Sequence, residues 1–194
     1  MKRSRGAAVI FCTVLILGSL HVTALSSSHR FWDGEISGSA TIEEIADHLK
    51  AKGGRMSDEK RIFIAQTIFE ESLRYNVDHR LVLAIMKVES DYRPHVVSHA
   101  GARGIMQIHP SLARGLAREA GIQYRSAEDL HDVRKNIRLG THYIALLIEL
   151  FDDLPTALFA YNVGHHKAIR LLAMDINPHT YYTRRVIAEY EQNT

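Results

Sequence analysis

Glu89 is the residue whose placement invites chemistry. It stands near the end of "LVLAIMKVES" (Leu81 to Ser90), where Leu81, Val82, Leu83, Ala84, Ile85, Met86 and Val88 leave only Lys87 to interrupt an apolar run. A helix that is apolar on all sides belongs in a core, and a carboxyl group at its end loses part of its hydration. Desolvation penalises the charged form and raises the pKa. A carboxyl group that is still protonated near neutral pH can pass its proton to a leaving oxygen, as a general acid does. On this stretch alone a more ordinary reading stays open, in which Glu89 emerges at the surface or pairs with an arginine.

Twelve histidines raise the question of a metal. His95 and His99 are four apart but follow Pro94 in a segment without helical period, and no HExxH occurs. His165 and His166 are adjacent, a spacing at which two side chains rarely reach one ion. The sequence therefore predicts no metal site. It also contains no P-loop and no dinucleotide fingerprint, and no cofactor is expected.

The elements that must position Glu89 read as helices. Thr41 and Glu44 in "TIEE" form a capping-box pattern for a first helix that stops near "KGGR" (Lys52 to Arg55). Ser57 or Asp58 can cap a second, with Ile62, Ile64, Ala65, Ile68, Phe69 and Leu73 as its apolar face. Asp78 can cap the helix that carries Glu89. From Pro94 to Pro110 the period is lost, and the segment reads as a long structured loop or a small hairpin. Helical signals return in "SLARGLAREAG" and strengthen from Asp132 to Phe151, where Val133, Ile137, Gly140, Tyr143, Ile144, Leu147 and Phe151 recur at helical spacing. Pro155 suits the first turn of "PTALFAYN", and "HKAIRLLAMD" and "HTYYTRRVIAEYEQ" follow. No segment alternates long enough to demand a sheet, so the expected class is mainly α.

The start of the chain differs in kind. Lys2, Arg3 and Arg5 precede the uncharged run "GAAVIFCTVLILGSL", and "VTA" (Val22 to Ala24) offers small residues for cleavage. Residues 1–24 have the layout of a secretory signal peptide. The apolar run is short for a spanning helix, which needs about 20 residues, though an uncleaved anchor is the alternative. Loss of this segment removes three basic residues and no acidic one, taking the formal net charge from +2 to −1. The basic whole-chain balance then gives no support to nucleic-acid binding. Cys12, the single cysteine, leaves as well, so no disulfide is expected. Residues 25–55 read as a linker or arm with a short helix, and 56–194 as the functional domain. The whole chain, with 46% apolar and 24% charged residues, has the composition of a globular protein.

Four motifs in register carry a resemblance. They are Glu89 with Ser90; Ser98 followed by "GARGIMQ" (Gly101 to Gln107); Asn136 and Gly140; and "AYN" (Ala160 to Asn162). Their order and spacing are similar to those of the soluble lytic transglycosylase family, over roughly Ile62 to Tyr190. The resemblance implies a lysozyme-like helical fold and a substrate, the β-1,4 bond between N-acetylmuramic acid and N-acetylglucosamine in peptidoglycan. It implies Glu89 as a single acid/base that forms a 1,6-anhydromuramoyl product. It also implies contacts with the glycan: Gly104 allowing close approach of the main chain, Gln107 and Ser98 bonding N-acetyl or hydroxyl groups, and Tyr161 positioning Glu89 and packing on a sugar. Asn162 would brace that arrangement, and Met106 and Tyr182 would either line the cleft or pack. Asn136, Gly140 and Tyr143 fit helix packing better than sugar contact.

The chain departs from the family pattern at His109, where methionine is usual, and at Val163, His165 and His166, where alanine and then Pro-Gly are common. The Glu commonly found a few residues before the late tyrosine is missing too: "NPHTYY" supplies only Asn177, His179 and Thr180. These changes concern the cleft's edges, and an imidazole at His109 would bond sugar or shift its preference. Two other outcomes remain: a goose-type lysozyme-like hydrolase using Asp91 to activate water, and a non-catalytic peptidoglycan-binding module. Export implies the periplasm or cell envelope of a bacterium, and the arm from Ser26 to Arg55 is a candidate dock for a secretion or conjugation apparatus.

Overall fold

The computed structural model describes residues 38–193; the proposed signal segment 1–24, and the arm as far as residue 37, lie outside the described residues. Among the described residues are eight α-helices and one 3-10 turn, and β pairing is limited to two isolated bridges. No described helix is long and apolar enough to cross a membrane.

Helix α1 (residues 38–52) already extends before Thr41, so Thr41 lies within the helix and does not cap it. Ile45, Ala46 and Leu49 are buried, with Ile42 packed beside them, an i, i+3, i+4, i+7 stripe that commits one face to the core. The arm expected from sequence therefore ends in a helix that shares the domain's core. Its polar side chains reinforce this: His48 Nε2 lies 2.7 Å from the Tyr92 hydroxyl, and Lys52 pairs with Glu189 at 3.6 Å.

Helix α2 (Asp58–Tyr75) is capped by Ser57, which accepts from the Lys60 amide. Its inward face is Ile64, Ala65, Ile68 and Ser72, while Ile62 and Leu73 of the expected face are exposed. Glu71 is buried on this helix and accepts from Arg74 at 3.0 Å, with Arg138 also near. Helix α3 (His79–Ser90) is capped by Asp78 and buried continuously from Leu81 to Met86, as its composition requires. It ends because Asp91 and Tyr92 both take left-handed backbone angles, φ 54° and 59°. Asp tolerates that conformation better than Tyr does, and Tyr92 holds it with a buried ring and its bond to His48.

Helix α4 (Pro110–Glu119) begins at a proline, where a missing amide costs nothing. A 3-10 turn (Ala127–His131) leads into α5 (Val133–Phe151), capped by Asp132. Helix α5 buries Asn136, Ile137, Leu139, Gly140, Tyr143, Ile144 and Leu147 and is the spine against which α2, α4 and α6 pack. Helix α6 (Leu154–Val163) is buried from Ala157 to Tyr161 and carries α7 (His165–Leu172) and α8 (Tyr181–Gln192).

Helix α8 lies along α3. Tyr182 in its first turn bonds Glu89 at the end of α3, and Tyr190 in its last turn donates to the Asp78 carboxylate that caps the start of α3. The two helices therefore run antiparallel, and α8 clamps the helix that carries Glu89 at both ends.

Candidate active site

Glu89 keeps partial contact with solvent at the end of the most apolar stretch of α3. Burial pushes its pKa up to about 7, and the bond from Tyr182 holds it below where burial alone would place it. The phenol donates to Glu89 Oε1 over 2.7 Å. Among the described residues the arginine pairing that composition left open is not made. Glu89 is thus a carboxyl group poised to lose or gain a proton near neutral pH, the condition general-acid catalysis needs.

Immediately after Glu89, Ser90 turns inward. Its hydroxyl donates to the Ile105 carbonyl at 2.7 Å, with the Met86 carbonyl also near at 3.2 Å. This bond fastens the long loop to the end of α3. The loop itself is a small hairpin: Arg103 and Ile108 exchange two main-chain bonds of 3.0 Å, and Gly104 and Gln107 turn the chain with φ of 84° and 51°.

Two further motif residues clamp the same hairpin. Asn136, wholly buried on α5, accepts from the Met106 amide at 2.7 Å and donates to the carbonyls of Arg103 and Leu130 at 2.9 Å each. Tyr161 on α6 donates its phenol to the Met106 carbonyl at 2.9 Å. Consecutive main-chain groups from Ile105 to Met106 are therefore held by three different helices. Such satisfied buried polar groups specify one backbone position, because losing a partner costs desolvation without return.

The two motif glycines make room for this clamp. A Cβ on Gly104 would meet Asn136 Nδ2 at 2.2 Å and the Leu130 carbonyl at 2.3 Å, on a backbone that already favours glycine. A Cβ on Gly140 would meet the Met106 sulfur at 2.4 Å. Met106 is fully buried in that notch.

Comparison with known proteins places the chain in a family. The family model described as the transglycosylase SLT domain matches residues 66–181, more than half of the chain. The chain belongs to the SLT transglycosylase family. Membrane-bound lytic murein transglycosylase C of Klebsiella pneumoniae is 34% identical over 149 residues, covering 71% of this chain and 39% of the relative. The protein of the same name from Salmonella typhi is 31% identical over 147 residues. The chain thus spans about two fifths of the length of these curated relatives. An inactive mutant of the lytic transglycosylase Slt from Pseudomonas aeruginosa superposes with a TM-score of 0.58 at 25% identity, over 66% of this chain and 23% of that one. The 70-kDa soluble lytic transglycosylase in complex with bulgecin A gives 0.59 at 26% identity, over 85% and 28%. The helical, lysozyme-like fold expected from the resemblance is the fold found.

Against the SLT pattern, several expected roles change. Tyr161 is not the phenol that holds Glu89; its hydroxyl is committed to Met106, and Tyr182 holds the acid instead. Tyr161 remains close, for burial and then the Glu89 charge raise its pKa well above the usual tyrosine value. Met106 packs in the core and offers no side chain to the cleft. Gly104 accommodates Asn136, which fills the space where its side chain would stand.

Other SLT positions do face a cavity of about 610 Å3, lined by Gln107, His109, Tyr161 and Asn162 among others. Gln107 donates its amide to the Val96 and Gly104 carbonyls at 3.0 and 2.8 Å, which leaves the side-chain oxygen as its acceptor. His109 is engaged at both ring nitrogens: Nε2 lies 2.9 Å from the Ala100 carbonyl, and Nδ1 caps α4 beside Ser111. It is therefore a loop brace more than a free sugar ligand. Ser98 accepts from the Ala102 amide at 3.0 Å, closing the turn that ends at Gly101 and keeping its own hydroxyl proton.

Asp91, the candidate second carboxylate, is largely exposed and paired with Lys87. Lys87 stands about 200° round the helix from Glu89. Among the described residues no carboxylate contributes to the Glu89 shift, which comes from burial and, against it, Tyr182. Sequence reasoning missed the roles of Ser90 and of Tyr182 as the acid's partner. A serine next to the acid carries no periodic signal, and the Tyr182 contact joins residues 93 apart.

Proposed function

We propose that this chain is a peptidoglycan lytic transglycosylase with Glu89 as its single acid/base. The observation that carries the reading is one protonatable carboxyl group, held by Tyr182 beside a clamped hairpin, with no second carboxylate among the described residues acting on it. The neutral Glu89 protonates the glycosidic oxygen between N-acetylmuramic acid and N-acetylglucosamine, and the C1–O bond breaks. The muramoyl N-acetyl group stabilises the cationic centre. The glutamate carboxylate then takes the proton of the muramoyl C6 hydroxyl as that oxygen bonds to C1. Glu89 ends protonated, the 1,6-anhydro ring is closed, and no water is consumed. A hydrolase of the two-carboxylate kind would need a base on the other face of the sugar, and Asp91 is turned away to Lys87.

The relatives' names place them at a membrane and on murein, and the same reading assigns this chain to the cell envelope, exported by residues 1–24. Recruitment by a secretion or conjugation apparatus belongs to it as well. Because α1 commits Ile45 and Leu49 to the core, a partner would meet its outer residues Glu43, Glu44, Asp47 and Lys50. Replacing these four by alanine with no change of localisation in cells would remove that part of the reading. The reaction is tested by digesting purified peptidoglycan and weighing the products. Anhydromuramoyl ends from the wild type and none from Glu89→Gln support it; undiminished release by Glu89→Gln ends it.

A further inference from the structure

The cavity lined by Tyr161, whose phenol feels the Glu89 charge, continues past the residues a sugar needs. From Gln107, Tyr161 and Asn162 it runs along the first turns of α7, where His166, Lys167 and Arg170 line it. Among the described residues no Asp or Glu lines this cavity. Lys167 and Arg170 are both exposed, and among the described residues neither forms an ion pair. Many other cations do: Arg74 pairs with Glu71, Arg80 with Asp78, Arg134 with Glu70. Two unpaired cations one helical turn apart stand on the same face of α7.

The neighbouring groove, about 670 Å3, has the opposite character. It shares Ser111, Leu112, Tyr143 and His165 with the first cavity but adds Glu119 and Glu149, and no lysine or arginine. Charge is therefore segregated across the shared wall. An anionic group entering the cleft is repelled from the α4–α5 groove and drawn towards α7.

The N-acetyl and hydroxyl groups of the sugars are uncharged and give Lys167 and Arg170 nothing to pair with. In peptidoglycan the anions are carboxylates, and they come from two sources. One is the lactyl group of a muramoyl residue whose peptide has been removed; the other is the peptide stem, which carries carboxylates on more than one residue. A lactyl carboxylate sits close to the ring and supplies a single charge. Two cations a turn apart fit the stem better.

We infer that the α7 edge of the cavity is a subsite for the peptide stem, with Lys167 and Arg170 meeting its carboxylates, so that stem-bearing strands are the preferred substrate. This rests on the transglycosylase reading above. It concerns residues outside the four motifs, on a helix that opens with His165–His166 where the family commonly has Pro-Gly.

The test uses the full chain carrying Glu89→Gln, so that ligands bind without turnover. Affinity is measured for muramoyl fragments with stems, for the same fragments stripped by an amidase, and for a neutral chitooligosaccharide. Adding Lys167→Glu and Arg170→Glu should weaken the stem-bearing fragments by about tenfold, as two partly screened charge reversals would. Chitooligosaccharide affinity reports whether the variant keeps its fold. Should it fall, the milder pair Lys167→Ala and Arg170→Ala is used, with an expected loss of about threefold. In the unaltered background, added salt should weaken stem-bearing fragments and spare the chitooligosaccharide.

Equal affinity for stem-bearing fragments before and after charge reversal overturns the subsite. So does an equal loss on stripped fragments, which would assign the cations to the lactyl carboxylate. If the wild type still releases anhydro products in either case, the reaction stands and only the subsite falls. A wild type that releases none refutes the reaction itself.

Discussion

Tyr182 donates its phenolic proton to Glu89 over 2.7 Å, from a helix 93 residues further along the chain. A hydrogen bond to the charged form of a carboxyl group favours that form. Tyr182 therefore opposes burial and keeps the acid's pKa at about 7. It also fixes the rotamer of a side chain that must reach a glycosidic oxygen. Loss of the phenol should have two separable effects.

In Tyr182→Phe the pKa of Glu89 rises, because burial is left unopposed. The alkaline limb of kcat/KM, set near pH 7 in the wild type, moves upward. Activity at its optimum falls by about tenfold through lost positioning. A pH–rate profile of both proteins checks this; a limb that moves down, or does not move, would remove Tyr182 from the acid's environment.

Glu89 also makes stability depend on pH. Its folded pKa of about 7 lies above the ordinary value of 4.5, so between those limits the folded chain holds a proton that the unfolded chain has released. Below that window the group carries no penalty. Stability falls as pH rises through it, and the full cost, about 3 kcal/mol, is present above it. Glu89→Gln should therefore be more stable than the wild type near pH 8 by about 2–3 kcal/mol, and no more stable near pH 4. Denaturant titrations at the two pH values measure the difference.

The hairpin clamp predicts a different pattern. Asn136→Ala removes the partners of the Met106 amide and of the Arg103 and Leu130 carbonyls. Leaving buried groups unpaired costs about 1–3 kcal/mol each, and some water entry will offset part of it. We expect a loss of about 3–5 kcal/mol together with a fall in kcat, since Ile105 and Met106 form the turn of the hairpin that Ser90, next to Glu89, fastens to α3. Tyr161→Phe should cost less, about 1–3 kcal/mol, because it frees one carbonyl. Thermal unfolding of the two variants ranks them.

Helix α1 is part of the same folding unit. Leu49 is fully buried, and Leu49→Ala should destabilise the whole domain by about 2–5 kcal/mol in a single transition. A separate early transition for α1, seen by hydrogen exchange, would show that the helix is an appendage after all.

Much of the fold was legible because its signals are local. Ser57, Asp78 and Pro155 stand at helix starts, and the apolar run of α3 is buried as its composition demands. Thr41 misled because a capping pattern also occurs inside a helix whose start lies further upstream. The acid at Glu89 was legible from the contrast between an apolar helix and a carboxylate. What surrounds it was not, because hydrogen-bond partners such as Tyr161 with Met106 are set by how helices dock. A motif alone does not say whether a polar residue faces substrate or braces the loop that does. Gly104, Met106 and Tyr161 brace the loop here.

The most direct test of Glu89 as a lone acid/base is digestion of peptidoglycan in water enriched in heavy oxygen, with mass spectrometry of the muramoyl ends. Intramolecular attack by the C6 hydroxyl predicts products lighter by one water than reducing ends, with no heavy oxygen at C1. Reducing ends that carry the label would contradict it, and would mean that a water, activated by a second group, had closed the reaction.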